Sequence, residues 1–417
     1  MLKMLKRAII RSIGINNAVG LYRTTNRTVR KLLASNDGYK QIQKLRELSV
    51  PDKHTFFGYY DKTPFCKNDK YVLATVAPLI NRSPDATDEL LVGHFKIGDD
   101  SFNVLGKTTT WCWQQSCRMQ WLLSSDALVI YNKIINNKYG SVVQNVKTKE
   151  IIDKHVVPIY DIDDKGENAI TLDFSRLGRL RPGYGYTNIP DDTIGDLCPE
   201  DNGVWLYNLP SKENKLLFSL KSLSNFAPHP SMTEAEHYIN HLKFCSCGKR
   251  FMFFHLWIKD NKRYSRLFTS DTEGKNLHLL NNDGMVSHYT WKNCDELLVF
   301  SYHNDTGTNY HLYDDSNQEK RIFGKDILRE DGHPNFSVNG ALLTDTYPDK
   351  YGDRKLLLFS ENKQLLTLGR YYSPIRYQGE MRCDLHPRWD NKGRYICFDS
   401  AHEGRRKMYI LDTSLLE

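Results

Sequence analysis

The 417-residue sequence lacks any apolar run of the ~18 residues that a membrane-spanning helix needs, so it predicts no transmembrane protein. With 26 glycines and 15 prolines it is neither collagen-like nor of low complexity. It contains no GxSxG elbow, Walker loop, GxGxxG fingerprint or HExxH motif, which argues against the corresponding hydrolase, nucleotide-binding and zinc-protease classes. Arg7 and Arg11 closely flank the short apolar segment 8–10, so no secretory signal is predicted.

The nine cysteines form neither a CxxC motif nor a metal-type array. The close pairs are Cys112 with Cys117 and Cys245 with Cys247. An odd number of cysteines without framework spacing fits a reducing compartment, and buried small thiols are the simplest interpretation. The sequence therefore predicts a cytoplasmic protein.

The net charge of +7 is concentrated at the N-terminus, because residues 1–46 carry eleven Lys and Arg and one acid, Asp37. The rest of the chain has a net charge of −3, which argues against a nucleic-acid partner. Two interpretations of the basic segment remain open. It contacts an anionic membrane surface through residues 1–46, or it is a solvated basic helix or arm.

The chain is rich in aromatic residues and repeats one pattern seven times: an aromatic or large apolar anchor, a polar turn, and an apolar run. The residue four positions after each anchor is Gly, Asp or Ser, which suits a tight hairpin turn. The anchors are Phe65, Trp121, Ile162, Phe244, Trp291, Phe336 and Trp389.

Each repeat continues into a second hairpin, and four strands repeated seven times predict an all-β, seven-bladed β-propeller. The last repeat ends one strand short, and the segment Ile42–Val50 precedes the first anchor. We expect this N-terminal strand to complete the last blade and close the ring, since an open edge leaves backbone groups unpaired. The predicted domains are a basic, helical extension over residues 1–40 and a propeller over residues 41–417.

Histidine stands three positions before the anchor in four successive repeats. These residues are His241, His288, His333 and His386. Equivalent positions in adjacent blades converge around the propeller axis, and several imidazoles at one point suit a divalent metal such as Mn²⁺, Fe²⁺ or Zn²⁺. The alternative is a histidine in each blade that only stabilises its neighbour.

The loops between the second and third strands of each blade open on the same face as these histidines. The third blade carries a long insertion with Arg176, Arg179, Arg181 and Tyr184. The corresponding loops of blades six and seven and the segment before the last anchor add further polar residues: Tyr347, Arg382, Asp384, His402 and Arg405. Arginines that converge near a metal would bind carboxylate or phosphate groups.

The blade motifs Ser287–Trp291, Asp331–Phe336 and Asp384–Trp389 resemble those of oligogalacturonate lyases, most clearly over residues 237–412. The resemblance implies a seven-bladed propeller that cleaves oligouronides by β-elimination, with a metal held by histidines and a glutamine. This chain departs from the pattern at two positions. Asp384 replaces one histidine of a His-Pro-His-Pro run, and Met381 stands at the glutamine position.

From the resemblance we expect a metal-assisted polysaccharide lyase that acts on uronate-containing, acidic glycans. The expected metal ligands are His288, Asp384 and His386, followed by His333 and His241, and Mn²⁺ is the expected metal. The expected catalytic residues are Arg181, Tyr184 and His402, with Tyr184 or His402 as base. The expected substrate-binding residues are Arg176, Arg179, Arg382, Arg405 and Tyr347. A non-catalytic propeller that binds glycan or protein during polysaccharide assembly at a membrane surface is the alternative.

Overall fold

The structure, a computed structural model, describes residues 45–415 apart from 123, 124, 126 and 361, together with residues 19, 21, 22, 24 and 25, which are helical. The rest of the predicted extension over residues 1–40 lies outside the described residues. Most of residues 1–46, the segment for which membrane contact is one of the two interpretations, also lies outside the described residues. Within the described part of the chain, no helix is long and apolar enough to cross a membrane.

Seven four-stranded antiparallel sheets make up the described fold, which confirms the predicted seven-bladed propeller. Blade 1 contains β2 His54–Phe56, β3 Tyr71–Ala77, β4 Leu90–Lys96 and β5 Phe102–Thr108. Blade 2 contains β6 Gln120–Trp121, β7 Leu128–Ile135, β8 Lys138–Asn145 and β9 Ile151–His155. Blade 3 contains β10 Asp161–Ile162, β11 Asn168–Thr171, β12 Gly203–Asn208 and β13 Asn214–Ser219.

The remaining blades follow the same order from the inner to the outer strand. Blade 4 contains β14 Glu236–Phe244, β15 Arg250–Lys259, β16 Lys262–Asp271 and β17 His278–Asn281. Blade 5 contains β18 Val286–Trp291, β19 Glu296–His303, β20 Gly307–Asp314 and β21 Glu319–Ile322. Blade 6 contains β22 Asn335–Phe336, β23 Leu342–Asp345, β24 Asp353–Phe359 and β25 Leu365–Tyr372. Blade 7 contains β26 Arg388–Trp389, β27 Tyr395–Ser400, β28 Lys407–Asp412 and, as its outer strand, β1 Leu45–Leu48.

The outer strand of the last blade comes from the N-terminal side of the chain. Strand β1 pairs antiparallel with β28, and Leu45 lies opposite Leu411 and Leu48 opposite Met408. The strand thus occupies residues 45–48 of the predicted segment 42–50. This pairing gives β28 a partner on both sides, as a ring of sheets requires.

The predicted anchors end the inner strands, as Trp389 does in β26 and Trp291 in β18. In five of the seven blades, the residue four positions after the anchor has the left-handed backbone conformation that the turn uses. Gly393 fills this position in blade 7 with φ +72°, and Asp69 fills it in blade 1 with φ +56°. The repeat seen in the sequence is therefore the hairpin between the first and second strands of each blade.

Apolar side chains pack between neighbouring sheets. Leu343 and Leu356 of blade 6, for example, are fully buried against Phe398 and Leu411 of blade 7. Burying one such side chain is worth roughly 1.5–3 kcal/mol, so the blades are held by their faces as well as by the ring.

Two blades carry features that shape the centre. In blade 3 the predicted insertion joins β11 to β12 and forms helix α1, Phe174–Leu180, whose N-terminus is capped by Asp173. In blade 1 the inner strand is interrupted after Phe56, and pairing resumes only at Phe65, which bridges to Val72. The other helices are α2 Leu220–Asn225 and the 3₁₀ turns Pro230–Met232, Gly379–Met381 and Thr413–Leu415.

Candidate functional site

Three of the predicted histidines meet at the start of the inner strands of blades 5, 6 and 7. The ring centroids of His288 and His333 are 4.1 Å apart, and those of His333 and His386 are 4.3 Å apart. All three side chains are buried. The position three residues before the anchor, which these histidines share in the sequence, therefore lies near the propeller axis in the structure.

The rings of these three histidines are oriented by oxygen acceptors. The Nδ1 contacts are His288 to Asp331 Oδ1 at 2.9 Å, His333 to Asp345 Oδ1 at 2.7 Å, and His386 to the Gly58 carbonyl at 2.8 Å. Carboxylate and carbonyl oxygens only accept, so Nδ1 carries the hydrogen and Nε2 keeps its lone pair. In the described residues, the buried Nε2 atoms of His333 and His386 have no hydrogen-bond partner.

Asp384 lies beside these free nitrogens. One of its carboxylate oxygens is 2.8 Å from Arg354, and the other accepts from Arg382 Nε at 2.6 Å. Burial alone would raise the pKa of this carboxyl, but the two guanidinium groups outweigh it and hold the pKa well below its usual range. Asp384 is therefore ionised at neutral pH.

The donor set fits a divalent metal. Ligand atoms of His333, Asp384 and His386 all lie within 4.8 Å of one another. Burial lowers the pKa of both His333 and His386, so their imidazoles are neutral and able to ligate at pH 7. Neutral imidazoles with Nδ1 held by an acceptor, next to a carboxylate, are the arrangement that metal-binding histidines show in proteins.

His241, the fourth predicted ligand, has different surroundings. Its ring stacks on Tyr59 with centroids 5.2 Å apart, and it contacts Tyr184 edge to face at 5.6 Å. Its Nδ1 faces the Tyr160 hydroxyl at 3.5 Å instead of a carboxylate. Among the described residues, neither His241 nor His288 is part of the group of closely spaced potential ligand atoms, so their role as ligands stays a sequence prediction.

The interruption of blade 1 brings two tyrosines into the centre. The ring of Tyr59 lies 4.9 Å from that of His386, and Tyr60 lies 5.1 Å from His333. Both rings are buried. The sequence analysis assigned no role to the segment that carries them. Its aromatic Phe-Phe-Gly-Tyr-Tyr run was the available signal.

The insertion of blade 3 places Tyr184 beside two guanidinium groups. Arg382 Nη2 donates to the Tyr184 hydroxyl at 2.5 Å, and the Arg181 guanidinium lies over the Tyr184 ring at 4.8 Å. Burial disfavours the charged form of Arg382, but the neighbouring Asp384 carboxylate outweighs it and raises the Arg382 pKa. One guanidinium group therefore contacts the Tyr184 hydroxyl and a second one covers the Tyr184 ring, which places two positive charges beside this side chain.

Tyr347 forms the exposed side of the site. Its ring centroid lies 6.2 Å from that of His288 and 6.3 Å from that of His333, and 39% of the residue is exposed. An exposed aromatic face next to buried polar ligands can pack against a sugar ring. Binding of substrate by Tyr347 stays a prediction.

Four other predicted residues lie away from the histidines: Arg176, Arg179, His402 and Arg405. Arg176 is buried and donates to the His237, Thr193, Asp196 and Leu197 carbonyls. Arg179 is paired with Asp191 and Glu236.

Both arginines hold the insertion in place, because the protein's own oxygens occupy their donors. The structure therefore does not bring Arg176 and Arg179 to the histidine cluster, and their binding of substrate stays a sequence prediction.

His402 and Arg405 occupy the loop between β27 and β28. His402 bonds Ser400 Oγ at 2.9 Å and packs against Tyr371 and Tyr409. Arg405 donates to the Lys53 carbonyl at 3.2 Å. These contacts place His402 outward from the axis, so the structure does not bring it to Asp384 or Tyr184. The expected role of His402 as base and that of Arg405 at the carboxylate stay sequence predictions.

No protein-family model and no curated protein matches the chain in sequence. Its fold matches an oligogalacturonate lyase in complex with manganese, with a TM-score of 0.63, 13% identity, and coverage of 91% of this chain and 96% of that chain. An oligogalacturonate lyase from Vibrio parahaemolyticus gives a TM-score of 0.62 and 11% identity, over 88% of this chain and 93% of that chain. The chain therefore has the seven-bladed fold of these lyases, and the resemblance of the blade motifs is confirmed at the level of the fold.

Proposed function

We propose that this chain is a metal-assisted, lyase-like enzyme that cleaves uronate-containing glycans by β-elimination. The observation that carries the proposal is the pair of buried, partnerless Nε2 atoms of His333 and His386, which face the Asp384 carboxylate between two arginines. A buried polar atom without a partner is costly, so it indicates a group that binds there.

The residues that would hold the metal are His333, His386 and Asp384. His288, whose ring lies 4.1 Å from that of His333, is the expected ligand next to this group. Manganese is the first choice, since one of the solved lyases of this fold is a manganese complex and a mixed imidazole and carboxylate donor set suits that ion. When bound, a divalent cation supplies Lewis-acid stabilisation of negative charge on a uronate carboxylate. It is the resident cofactor in this proposal, and the glycan is the substrate.

Arg181 and Arg382 would bind the uronate carboxylate and make the neighbouring C5 proton more acidic, because they stabilise the charge that develops when the proton leaves. Tyr184 would then act as base. Its oxygen accepts from Arg382 Nη2 at 2.5 Å, which orients the hydroxyl beside the proposed carboxylate-binding arginines.

The bond changes balance within the substrate and Tyr184. The phenolate oxygen takes the C5 proton, the C5–H electron pair forms the C4–C5 double bond, and the C4–O bond to the neighbouring sugar breaks. The Tyr184 hydroxyl then returns its proton to the departing oxygen. No redox partner is needed.

The proposed partner is an acidic oligosaccharide or polysaccharide that enters beside Tyr347. Peripheral membrane contact through residues 1–46 and a cytoplasmic location accompany the proposal. They rest on the composition of the N-terminal segment and on the cysteine pattern alone.

A lyase assay tests the proposal. The full-length protein is loaded with Mn²⁺ and incubated with a panel of uronate polymers and oligomers, and the absorbance of the unsaturated product is followed. We expect product with at least one substrate, and loss of product in Tyr184→Phe and in His288→Ala combined with Asp384→Ala. His402→Ala serves as the matched control and should retain activity. A folded, metal-loaded protein that releases no unsaturated product from any member would overturn the lyase proposal and favour the binding propeller.

A further inference from the structure

Two cysteines lie in the turn between β14 and β15, at the opposite end of the inner strands from the histidines. The turn runs from Cys245 to Gly248 and is closed by a hydrogen bond from the Gly248 N–H to the Cys245 carbonyl at 3.1 Å. Gly248 adopts φ +68°, which a glycine tolerates without strain. This backbone brings the side chains at the first and third turn positions to the same side.

The sulfur atoms of Cys245 and Cys247 are 3.4 Å apart. Cys245 is buried, whereas Cys247 is half-buried and within reach of a small reagent. Both are free thiols in the structure. The two sulfur atoms are thus in direct contact, although further apart than the ~2.05 Å of a disulfide bond.

A third thiol lies in the equivalent turn of the next blade. Cys294 Sγ is 3.5 Å from Ser246 Oγ. The hydrogen bond with Ser246 favours the Cys294 thiolate, but contact with the Cys247 thiol and partial burial outweigh it and raise the Cys294 pKa. The raised pKa disfavours the Cys294 thiolate, which is the form that attacks a disulfide.

We propose that Cys245 and Cys247 form a reversible dithiol–disulfide site that reacts with small-molecule disulfides such as oxidised glutathione. The Cys247 thiolate attacks one sulfur of the oxidant, a mixed disulfide forms, and one reduced thiol leaves with its electron pair and a proton. The Cys245 thiolate then attacks Cys247 Sγ, the internal disulfide forms, and the second reduced thiol leaves. The two cysteines are oxidised, and the oxidant is reduced to two thiols.

The site is independent of the proposed lyase chemistry. Cys245 lines a cavity of about 240 Å³ with Lys243, Trp291 and Asn335, and none of these residues contacts His333 or His386 in the described contacts. Oxidation of Cys245 and Cys247 would therefore change the lining of this cavity, while the residues of the histidine site keep their positions.

Mass spectrometry of the full-length protein tests the proposal. The reduced protein is treated with oxidised glutathione in its folded state, remaining thiols are blocked with N-ethylmaleimide, and the digested peptides are weighed. We expect two of the nine thiols to disappear and the peptide with Cys245 and Cys247 to lose two hydrogens, with full reversal by dithiothreitol. Cys247→Ser should abolish the change. Cys198→Ser, which removes another half-buried thiol, should retain it.

Three results would overturn the assignment: a lasting glutathione adduct on Cys247 beside a free Cys245, a disulfide between Cys247 and Cys294, or nine unreacted thiols. The wild-type measurement decides the question by itself if a variant fails to fold.

Discussion

Asp345 Oδ1 accepts two hydrogen bonds from His333, one from the His333 backbone N–H at 2.8 Å and one from His333 Nδ1 at 2.7 Å. The second carboxylate oxygen accepts from the backbone N–H groups of Leu385 and His386 at 3.1 and 3.3 Å. One buried side chain of blade 6 thus orients a histidine of its own blade and fixes the backbone of a histidine in blade 7.

Asp345→Asn should weaken metal binding while His333 and His386 remain present. Both carboxylate oxygens accept, so the amide must turn its NH2 donor towards the N–H groups of either His333 or Leu385 and His386. Disrupting the partner behind a ligating histidine typically costs 10- to 100-fold in metal affinity, and we expect a loss of about this size. Titration of the metal-free protein with Mn²⁺, followed calorimetrically, measures it. Asp283→Asn is the matched control, because Asp283 pairs with His303 at 2.9 Å outside the histidine cluster. Equal affinities of the Asp345 variant and the wild type would contradict the orienting role.

Tyr184→Phe should remove the proposed base with little change in packing. General acid–base groups contribute typically 10²- to 10⁴-fold, so we expect kcat on a cleaved uronate substrate to fall by about this factor while KM changes little. Steady-state kinetics on the substrate found in the panel measures both constants. Tyr302→Phe, at an exposed tyrosine of blade 5, is the control and should leave both unchanged. An unaltered kcat in Tyr184→Phe would assign the base to another residue.

The buried ion pair of Asp61 with Arg118 should make stability depend on pH. The two side chains are 2.8 Å apart. Burial alone would raise the Asp61 pKa, but the Arg118 charge outweighs it and holds that pKa well below its usual range. The stabilisation is present above the pKa of about 4 of an unfolded carboxyl and is lost as the pH falls below it towards the folded pKa.

Asp61→Asn should therefore unfold more easily than the wild type by about 3–5 kcal/mol at pH 7, and this gap should narrow as the pH falls below about 4. Urea unfolding at several pH values measures both. Asp260→Asn, at an exposed hairpin turn, should show no such gap. A gap that stays constant down to pH 3 would show that the Asp61 charge does not stabilise the fold.

Leu48 should be the main apolar contact by which β1 stays on the last blade. It is 1% exposed and packs in a cluster with Phe56 and Met408. Leu48→Ala should lower the free energy of unfolding by about 2–5 kcal/mol, as large-to-small changes in a core do. Chemical denaturation measures it, with Leu366→Ala, at an exposed leucine of β25, as the control. A loss no larger than that of the control would mean that the strand adds little to the ring.

The sequence predicted the fold because its signals are local and repeat. Each anchor, such as Trp291 or Trp389, ends an inner strand and precedes a turn residue with a recognisable preference, and seven copies reinforce one another. The same repeat also predicted that His288, His333 and His386 lie close together. Each stands three residues before an anchor, and the rotational symmetry of the propeller brings equivalent positions of neighbouring blades together near the axis.

The rest of the site depends on contacts that no repeat encodes. Tyr59 and Tyr60 enter the centre because blade 1 departs from the pattern, so periodicity could not place them. Arg176 looked like a free arginine in a loop, but it is buried against carbonyl groups of its own insertion. His402 has the right residue type on the right face, and only its contacts with Ser400 and Tyr409 show that it lies outward from the axis.

The most direct test of the proposed metal centre is anomalous diffraction from crystals of the protein grown with Mn²⁺. We predict one strong anomalous peak at bonding distance from the Nε2 atoms of His333 and His386, and its loss in the double variant His333→Ala with His386→Ala. A peak elsewhere, or no peak while the two rings keep their positions, would contradict the metal centre and the function proposed from it.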